Sequence, residues 1–412
     1  MRKFLNIILL SLFAGAVASC CKDETPEIRV RKKADHTLVM YLVADNNLYA
    51  NLSRNVRQAA EAVASGALSA VNGRIAVYFD PNPNVHNPVL FTITEQNGKA
   101  VYDTVKRYGS QLSTDKAVMT QVCKDIRSLL PSESYGISLG SHATGWVPAA
   151  GNDLAMRSGS LEQNLWLRPQ GALLTRAFGL DRQDGTEYHM DIADLSEGLS
   201  PIEWSYILTD ACFMSSVEAL YELRGRAPYI VASPTEIMSD GFPYAEVVSI
   251  LFESPAITEQ TLTEVCNAYM RHYRNADVAS ASIALVRTSE LETLAAAVKD
   301  LLDAGTRPVD AAQIQAFEGL SPHVFYDLDH YVENLSNDAA RYEAFTRALA
   351  STVLFKESTP RIYSAFKPGY FPVTRCCGLS SYIENEEFPI FNGFYRNTAW
   401  YAATHSQSEG EE

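Results

Sequence analysis

The feature that most constrains the fold is an alternation, starting at Thr37, between short apolar runs and longer stretches with helical periodicity. Nearly continuous apolar runs are typical of strands buried on both faces, and such strands occur in parallel sheets covered by helices. The sequence therefore predicts an α/β fold with a mostly parallel central sheet and helices on both faces.

The alternation assigns secondary structure along most of the chain. Strands are predicted at 38–43, 74–79, 135–139, 204–208 and 229–232, with an edge hairpin over 85–105 around Asn97-Gly98. Helices are predicted at 51–64, 115–130 with Ser113 or Thr114 as cap, 192–199, directly after Cys212, 261–274, 290–304 and 338–354. Two late apolar pieces, 282–286 and 379–383, are expected to rejoin the sheet.

Composition excludes several classes of protein. Hydrophobic residues make up 47% of the 412 residues, which is too many for a disordered or collagen-like chain. The net charge of -15 would repel a nucleic-acid backbone, so we expect no nucleic-acid partner. The length fits one large or two modest domains. We divide it into a core over 37–250, a mainly helical C-terminal subdomain over 251–405 packed on it, and an acidic tail over 406–412.

The N-terminus resembles a bacterial lipoprotein signal. Arg2 and Lys3 precede an apolar run that is too short for a spanning helix, and Val17-Ala18-Ser19-Cys20 resembles a lipobox. We therefore expect a signal peptide over 1–19, lipid on Cys20, a polar tether over 20–36 and attachment to the outer membrane by lipid alone. The alternative is an ordinary signal cleaved after Ser19. Residues 21–24 resemble a tag for the cell surface.

The seven cysteines form no evident disulfide framework and show no metal-binding spacing. Cys123, Cys212 and Cys266 each stand alone, so each is either a buried apolar residue or a nucleophile. Cys212 follows one predicted strand and His142 follows another. Because open α/β sheets bind ligands at the carboxyl ends of their strands, a base and a thiol are expected on one rim. A helix starting after Cys212 would lower the thiol pKa. The alternative is a structural His and a structural Cys.

Four motifs carry a specific resemblance. They are Val39 to Leu48 (V-M-Y-L-V-A-D-N-N-L), Ser141-His142-x-x-Gly145-Trp146, Asp210-Ala211-Cys212, and Asp240 to Tyr244 (D-G-F-P-Y), with a later Gly378-Leu379-Ser380. In this order they resemble the clostripain-like cysteine peptidases. The resemblance covers about 37–385 and implies a caspase-like three-layer sandwich. It also implies a His-Cys dyad with His142 as general acid/base and Cys212 as nucleophile.

The resemblance assigns further roles to single residues. The backbone N–H groups of Ala143 and Cys212 correspond to the oxyanion donors, although relatives usually have Gly at position 143, so the alanine puts activity in question. Asp210 and Asp240 correspond to acids of a pocket for Arg or Lys, and the alternative is that either one caps a turn. A carboxylate in such a pocket pairs bidentately with guanidinium, which favours Arg over Lys.

The long segment between His142 and Cys212 carries two further expectations from the resemblance. Relatives are often zymogens that cut themselves in this region after a basic residue, and Arg157 is our candidate. Some relatives use calcium, for which Asp181, Asp184 and Glu187 could supply oxygens; a solvated acidic loop is the alternative, since no EF-hand spacing occurs. No cofactor is required for the chemistry itself.

Other chemistries fit less well. Gly136 to Gly140 (G-I-S-L-G) matches the G-x-S-x-G motif of serine hydrolases. In those enzymes a helix follows the serine at once, and the residues after Gly140 cannot start one. No H-E-x-x-H occurs, so zinc has little support. We expect a monomeric, lipid-anchored endopeptidase that cleaves peptides or proteins after Arg, less readily after Lys, and that activates itself. The alternative is an inactive surface lipoprotein of the same fold that binds peptides or glycans.

Overall fold

The computed structural model describes residues 29–82, 84–147, 178–183, 186–320 and 322–406. The predictions for the signal peptide, Cys20, Arg157 and Asp184 lie outside the described residues, as does the tail beyond Ser406. In these ranges, no helix is both long enough and apolar enough to cross a membrane.

The strands are numbered in chain order. They are β1 (Ala34–Ala44), β2 (Gly73–Pro81), β3 (Val89–Gln96), β4 (Lys99–Arg107), β5 (Ser132–Gly140), β6 (Phe178–Gln183), β7 (Thr186–Met190), β8 (Trp204–Asp210), β9 (Tyr229–Ala232), β10 (Ser282–Arg287), β11 (Tyr326–Asp327), β12 (Val353–Ser358), β13 (Arg361–Ser364), β14 (Gly369–Pro372) and β15 (Ser380–Ser381).

The helices of the described residues are numbered in the same way. They are α1 (Tyr49–Ala64), α2 (Lys116–Leu129), α3 (Ile192–Leu199), α4 (Val217–Leu223), α5 (Tyr244–Leu251), α6 (Glu259–Arg274), α7 (Leu291–Asp303), α8 (Leu328–Leu335), α9 (Ala339–Thr352), α10 (Pro389–Arg396) and α11 (Ala399–Thr404), with short 3-10 turns at Thr288–Glu290 and Ala311–Gln313.

A nine-stranded sheet runs through the described part of the chain in the order β12-β10-β9-β8-β5-β1-β2-β3-β4. Its five central strands are parallel, and the outer strands at both edges pair antiparallel. The β3–β4 hairpin lies at one edge, as the Asn97-Gly98 turn predicts. The mostly parallel sheet that the apolar runs predict is confirmed.

Helices cover both faces of this sheet. Along β1, Val39, Tyr41 and Val43 pack into one core, and the alternating Leu38, Met40 and Leu42 pack into the other. The two sets alternate because side chains of a strand project to opposite faces, which explains the continuous apolar run. Helices α1, α5 and α6 supply the second core; α2, α3, α4, α7 and α9 supply the first. The chain is therefore a three-layer α/β sandwich, as expected.

Four local predictions are wrong. Helix α2 is capped by Asp115, whose side chain accepts from the N–H groups of Ala117 and Val118. Residues 353 and 354, the last two of the helix predicted over 338–354, belong to the edge strand β12, which pairs with β10. Residues 380–381 pair with β11 in a separate two-stranded sheet and not with the central sheet. The fourth concerns the helix after Cys212 and is described with the site.

The C-terminal part of the chain contributes directly to the central sheet. Strands β10 and β12, both beyond residue 251, continue it past β9. At the other end, β1 begins at Ala34, inside the segment assigned to the tether. The two parts that the sequence analysis separates at residue 250 thus share one sheet.

Candidate active site

The pairing of β5 with β8 brings the two predicted catalytic residues to one rim. The strands are parallel, and Gly140 at the end of β5 is in register with Asp210 at the end of β8. His142 and Cys212 each lie two residues beyond this last registered pair. They therefore leave the sheet side by side at its carboxyl edge, which is where α/β sheets bind their ligands.

The loops that follow these strands are in direct contact. Gly145 has φ of +59°, and a Cβ placed on it would lie 2.5 Å from the carbonyl oxygen of Phe213. Phe213 itself has φ of +58°, an uncommon conformation for an aromatic residue. Such backbone outliers persist where the surroundings over-determine them, often at functional sites. The loop of His142 and the loop of Cys212 are thus packed without space for a side chain at Gly145.

His142 is buried and held by one side-chain partner. Its Nε2 lies 2.8 Å from Oδ1 of Asn47, which follows β1, the neighbour of β5 on the other side. With Nε2–H donating to the amide oxygen, Nδ1 carries the lone pair that can accept a proton. Burial, followed by the charges of His189 and Arg182, lowers the pKa of His142 to about 4. The ring is therefore neutral at pH 7.

The environment of Cys212 differs from the one expected. Helix α4 starts only at Val217, so Cys212 lies in an irregular turn and not at a helix N-terminus. Its partly buried sulfur packs on Ile237, whose backbone N–H donates to Sγ at 3.3 Å. Burial, then the charge of Glu236, raises the pKa of the thiol to about 12. The predicted lowering of its pKa is wrong, because the helix dipole that motivated it is displaced by four residues.

In this conformation the thiol of Cys212 and the imidazole of His142 are therefore both neutral. The two side chains are not hydrogen-bonded to each other, since His142 binds Asn47 and Cys212 binds the main chain of Ile237. Such a pair can still perform acyl transfer if the imidazole accepts the thiol proton while the sulfur attacks. The arrangement supports general-base activation and not a thiolate formed in advance.

Asp210 is buried, and its Oδ2 is bound by protein groups. Its Oδ2 accepts from the hydroxyl of Tyr244 at 3.0 Å and from the amide of Asn55 at 3.3 Å. Burial raises its pKa to about 6. Gly241 approaches so closely that a Cβ there would lie 2.5 Å from Oδ2. These contacts place Asp210 beneath the rim and fix the loop that carries Asp240.

Asp240 lies at the surface and already has a cationic partner. Its side chain is 54% exposed and forms an ion pair with the guanidinium group of Arg54, and Nδ2 of Asn51 lies 3.3 Å from its Oδ1. Arg54 and Asn51 belong to α1, which also supplies the Asn55 that binds Asp210. Helix α1 thus contacts both acids that the sequence analysis assigns to a specificity pocket.

Ala143 adopts an ordinary conformation at the position where relatives are expected to carry glycine. Among the described non-glycine residues, only Asn97 and Phe213 have positive φ, so Ala143 does not need the left-handed region. It is fully buried, forms a β-bridge with Phe178, and packs in the core. The backbone at Ala143 therefore accepts an alanine without strain.

The residues suggested for calcium do not form a cation site in the described structure. Asp181 is buried and accepts from the backbone N–H of Ser113, and Glu187 forms an ion pair with Arg182. Within the described ranges, no group of three His, Cys, Asp or Glu side chains is placed to hold a metal ion. Asp181 and Glu187 thus have protein partners, and no step below uses calcium.

Several residues of the site were not identified from the sequence. Asn47 lies inside a motif that was recognised, and its position just after a buried strand next to β5 was the available signal. The contacts of Ile237 with Cys212 and of Arg54 with Asp240 span 25 and 186 positions of sequence. No local pattern reports contacts over such separations.

Comparisons with known proteins agree with this fold. The family model described as the clostripain family matches residues 163–349. A secreted C11 cysteine protease from Bacteroides thetaiotaomicron, "iotapain", is 27% identical, with a TM-score of 0.77, covering 91% of this chain and 100% of that one. An inactive zymogen C11 protease from Parabacteroides distasonis is 29% identical, with a TM-score of 0.76 and coverage of 92% and 100%.

A further structure adds a ligand-bound relative. It is a secreted C11 cysteine protease from Bacteroides thetaiotaomicron in complex with an irreversible peptide inhibitor, 26% identical, with a TM-score of 0.75 and coverage of 90% and 98%. The comparison with curated proteins gave no match. The matches extend over nine tenths of the chain at more than a quarter identity, and this chain belongs to the clostripain family of cysteine proteases.

Proposed function

We propose that this chain is a cysteine endopeptidase that cleaves peptide bonds after Arg, less readily after Lys, with His142 and Cys212 as its catalytic dyad. The observation that carries the proposal is the register of Gly140 with Asp210, which places both residues at the same distance beyond two adjacent parallel strands. Burial of His142 beside Asn47 supplies a neutral base with its lone pair on Nδ1.

The chemistry follows from these groups. When a peptide carbonyl lies against Sγ, His142 takes the thiol proton as the sulfur attacks, and the carbonyl oxygen becomes an oxyanion that the N–H groups of Ala143 and Cys212 would stabilise. The intermediate collapses to a thioester as His142 gives that proton to the leaving amine. Water then attacks the thioester with His142 as base, which restores the thiol and releases the carboxylic acid.

The preference for a basic residue rests on Asp210 and Asp240. Asp240 is accessible and already binds a guanidinium group, that of Arg54, so its position suits a basic side chain. Asp210 is buried, and its negative charge in a poorly solvated place would favour a cation nearby. Asp210→Ala should raise KM for Arg peptides and reduce their advantage over Lys peptides; unchanged selectivity would place the pocket elsewhere.

Export and processing complete the proposal. The relatives described as secreted support export, and the resemblance of residues 17–20 to a lipobox supports lipid attachment at Cys20 in the outer membrane. The relative described as an inactive zymogen supports activation by cleavage, for which Arg157 is the candidate site.

The deciding experiment uses the full chain without residues 1–19 and fluorogenic peptides that differ only before the scissile bond. Hydrolysis is expected with Arg, more slowly with Lys, and not with Leu or Glu; Cys212→Ala and His142→Ala should abolish it. Gel mobility of wild type and Cys212→Ala before and after incubation tests self-cleavage, and Arg157→Ala tests its site. No hydrolysis after processing, with no labelling of Cys212 by an Arg ketone, would indicate the inactive binding protein.

A further inference from the structure

Glu236 lies next to the nucleophile and is bound by a hairpin from the far end of the chain. Its carboxylate accepts from the hydroxyl of Ser364 at 2.7 Å and from the backbone N–H of Ala365 at 2.9 Å. Ser364 is buried and accepts in turn from the N–H of Gly319. Ser364 ends β13 and Ala365 begins the turn into β14, so Glu236 binds the tip of the β13–β14 hairpin.

The residue after Glu236 holds the reactive sulfur. The N–H of Ile237 donates to Sγ of Cys212 at 3.3 Å. The backbone just before Glu236 also receives the loop of the nucleophile, since Phe213 N–H donates to Thr235 O at 3.0 Å. Any movement of Glu236 therefore shifts the peptide group that contacts the sulfur.

The same hairpin covers the loop after Cys212. Phe366 at the hairpin tip stacks on Phe213 at a centroid distance of 5.9 Å, and Phe213 stacks on Phe325 at 4.4 Å. Phe213 is the residue with φ of +58°. The hairpin thus contacts the nucleophile loop twice, through the aromatic rings and through the carboxylate of Glu236.

Charge adds a second effect to this contact. An ionised Glu236 disfavours a negative charge on the sulfur, and burial raises the pKa of Glu236 itself to about 7. Two other ionisable groups face the carboxylate of Glu236: Glu318 and the thiol of Cys212. Glu318 binds His323, and the thiol of Cys212 also faces Asp210. Acidic groups dominate around the sulfur, and Glu236 contributes more than Asp210.

We propose that Glu236 is a positioning residue for the reaction of Cys212: its carboxylate fastens the β13–β14 hairpin to the nucleophile loop and holds a negative charge next to the peptide group that contacts the sulfur. This inference rests on the proposed role of Cys212 as nucleophile. It predicts that the thiol of Cys212 becomes more reactive when Glu236 loses its charge but still binds the hairpin, with His142 and Cys212 unchanged.

The test measures alkylation of Cys212 by iodoacetamide, followed by mass spectrometry of the peptide that contains it, in the full chain without residues 1–19. Glu236→Gln keeps an acceptor for Ser364 and removes the charge. At pH 8.5 its alkylation should be about three- to tenfold faster than in wild type, because loss of a nearby charge lowers a thiol pKa by up to about one unit. At pH 5.5, where Glu236 is protonated, the two rates should converge.

Two further variants complete the design. Glu343→Gln removes an equal charge from the exposed face of α9 and should alkylate at the wild-type rate. Glu236→Ala removes the anchor as well, and hydrogen exchange of the amides over 361–372 should become at least severalfold faster than in Glu236→Gln. Equal alkylation of Glu236→Gln and wild type at pH 8.5 would overturn the proposal. Because no peptide is cleaved, this result is independent of whether the chain is a peptidase.

Discussion

Oδ1 of Asn47 lies 2.8 Å from Nε2 of His142, on the ring edge opposite Nδ1, the nitrogen that takes the proton in the proposed mechanism. The amide therefore fixes both the tautomer and the orientation of the imidazole, as the third member of a nucleophile and base arrangement does in other hydrolases. Because Asn47 follows β1 and His142 follows β5, this contact depends on the pairing of two parallel strands.

Asn47→Ala should lower kcat for Arg peptides by about 10- to 100-fold, because an unoriented ring loses much of the benefit of general-base catalysis. KM should change little, since Asn47 contacts the base and not the substrate pocket. Steady-state kinetics with an Arg peptide measures both. Asn72→Ala, at an exposed turn, is the matched control. An undiminished kcat would remove Asn47 from the catalytic arrangement.

The neutral state of the dyad predicts how Cys212 reacts with pH. A thiol pKa raised to about 12 means that the thiolate fraction is small at pH 7 and grows with each unit of pH. Alkylation of Cys212 by iodoacetamide in the unprocessed chain should therefore rise continuously from pH 6 to pH 9. A rate that is already at its plateau between pH 5 and pH 8 would instead indicate a thiolate–imidazolium pair and contradict the described conformation.

Arg54→Ala should improve the cleavage of Arg peptides. In the structure Arg54 forms an ion pair with Asp240, so a substrate guanidinium that binds Asp240 must displace Arg54. An exposed ion pair of this kind contributes about 0.2–1 kcal/mol. We expect kcat/KM for Arg peptides to rise by about 1.5- to 5-fold. Asp240→Asn should lower it in both the wild-type and the Arg54→Ala backgrounds. A fall in kcat/KM for Arg54→Ala alone would mean that Arg54 supports the pocket.

Gly145→Ala should separate the loops of the dyad. The substitution forces an alanine into φ of +59° and places its Cβ 2.5 Å from the carbonyl oxygen of Phe213. Strain of this kind costs about 1–3 kcal/mol, and a shift of the loop would also misplace His142. Thermal unfolding should therefore show a lower Tm and kinetics a lower kcat. Gly109→Ala, where no atom lies within 4 Å, controls for the added methyl group.

Asp80 predicts a dependence of stability on pH. Burial and the neighbouring Asp181 raise the pKa of Asp80 to about 8, above the value of an unfolded chain. The folded state therefore binds more protons between about pH 4 and pH 8, so this group stabilises below pH 4 and the contribution is lost as pH rises through 8. Asp80→Asn should reduce the fall in free energy of unfolding between pH 5 and pH 8, measured with urea.

The matched control for that experiment is Asp103→Asn, which removes a half-exposed carboxylate paired with Arg31. Its free energy of unfolding should follow the wild-type dependence on pH. If Asp80→Asn also keeps the wild-type dependence on pH, the pKa of Asp80 is not raised in the folded state.

The sheet could be predicted from the sequence because its central strands are buried on both faces and leave uninterrupted apolar runs. Strand β9 and helix α3 have the predicted bounds, and most other elements differ by a few residues at their ends. The positions of His142 and Cys212 at strand ends follow from the same pattern. Their proximity follows from strand order, which the runs alone do not specify.

The errors concern places where tertiary contacts override local preference. A helix directly after Cys212 is compatible with the composition there, but Phe213 is held at positive φ by the loops around it, and the helix starts after Ser216. Serine is a favoured N-cap residue, so the sequence held a local signal for this start, although the hydroxyl of Ser216 makes no capping hydrogen bond. The raised pKa of the thiol had none, because burial and Glu236 act through the folded chain.

The long segment between His142 and Cys212 connects two halves of the central sheet. Strands β1 to β5 occupy one half, and β8, β9, β10 and β12 the other, so the β5–β8 ladder is a seam with one reactive residue on each side. A mature enzyme cut between positions 147 and 178 would be two interlocked polypeptides, neither with a complete dyad. Its survival under dilution or mild denaturant would then depend on how firmly the halves hold together, and separated halves should regain activity only when recombined.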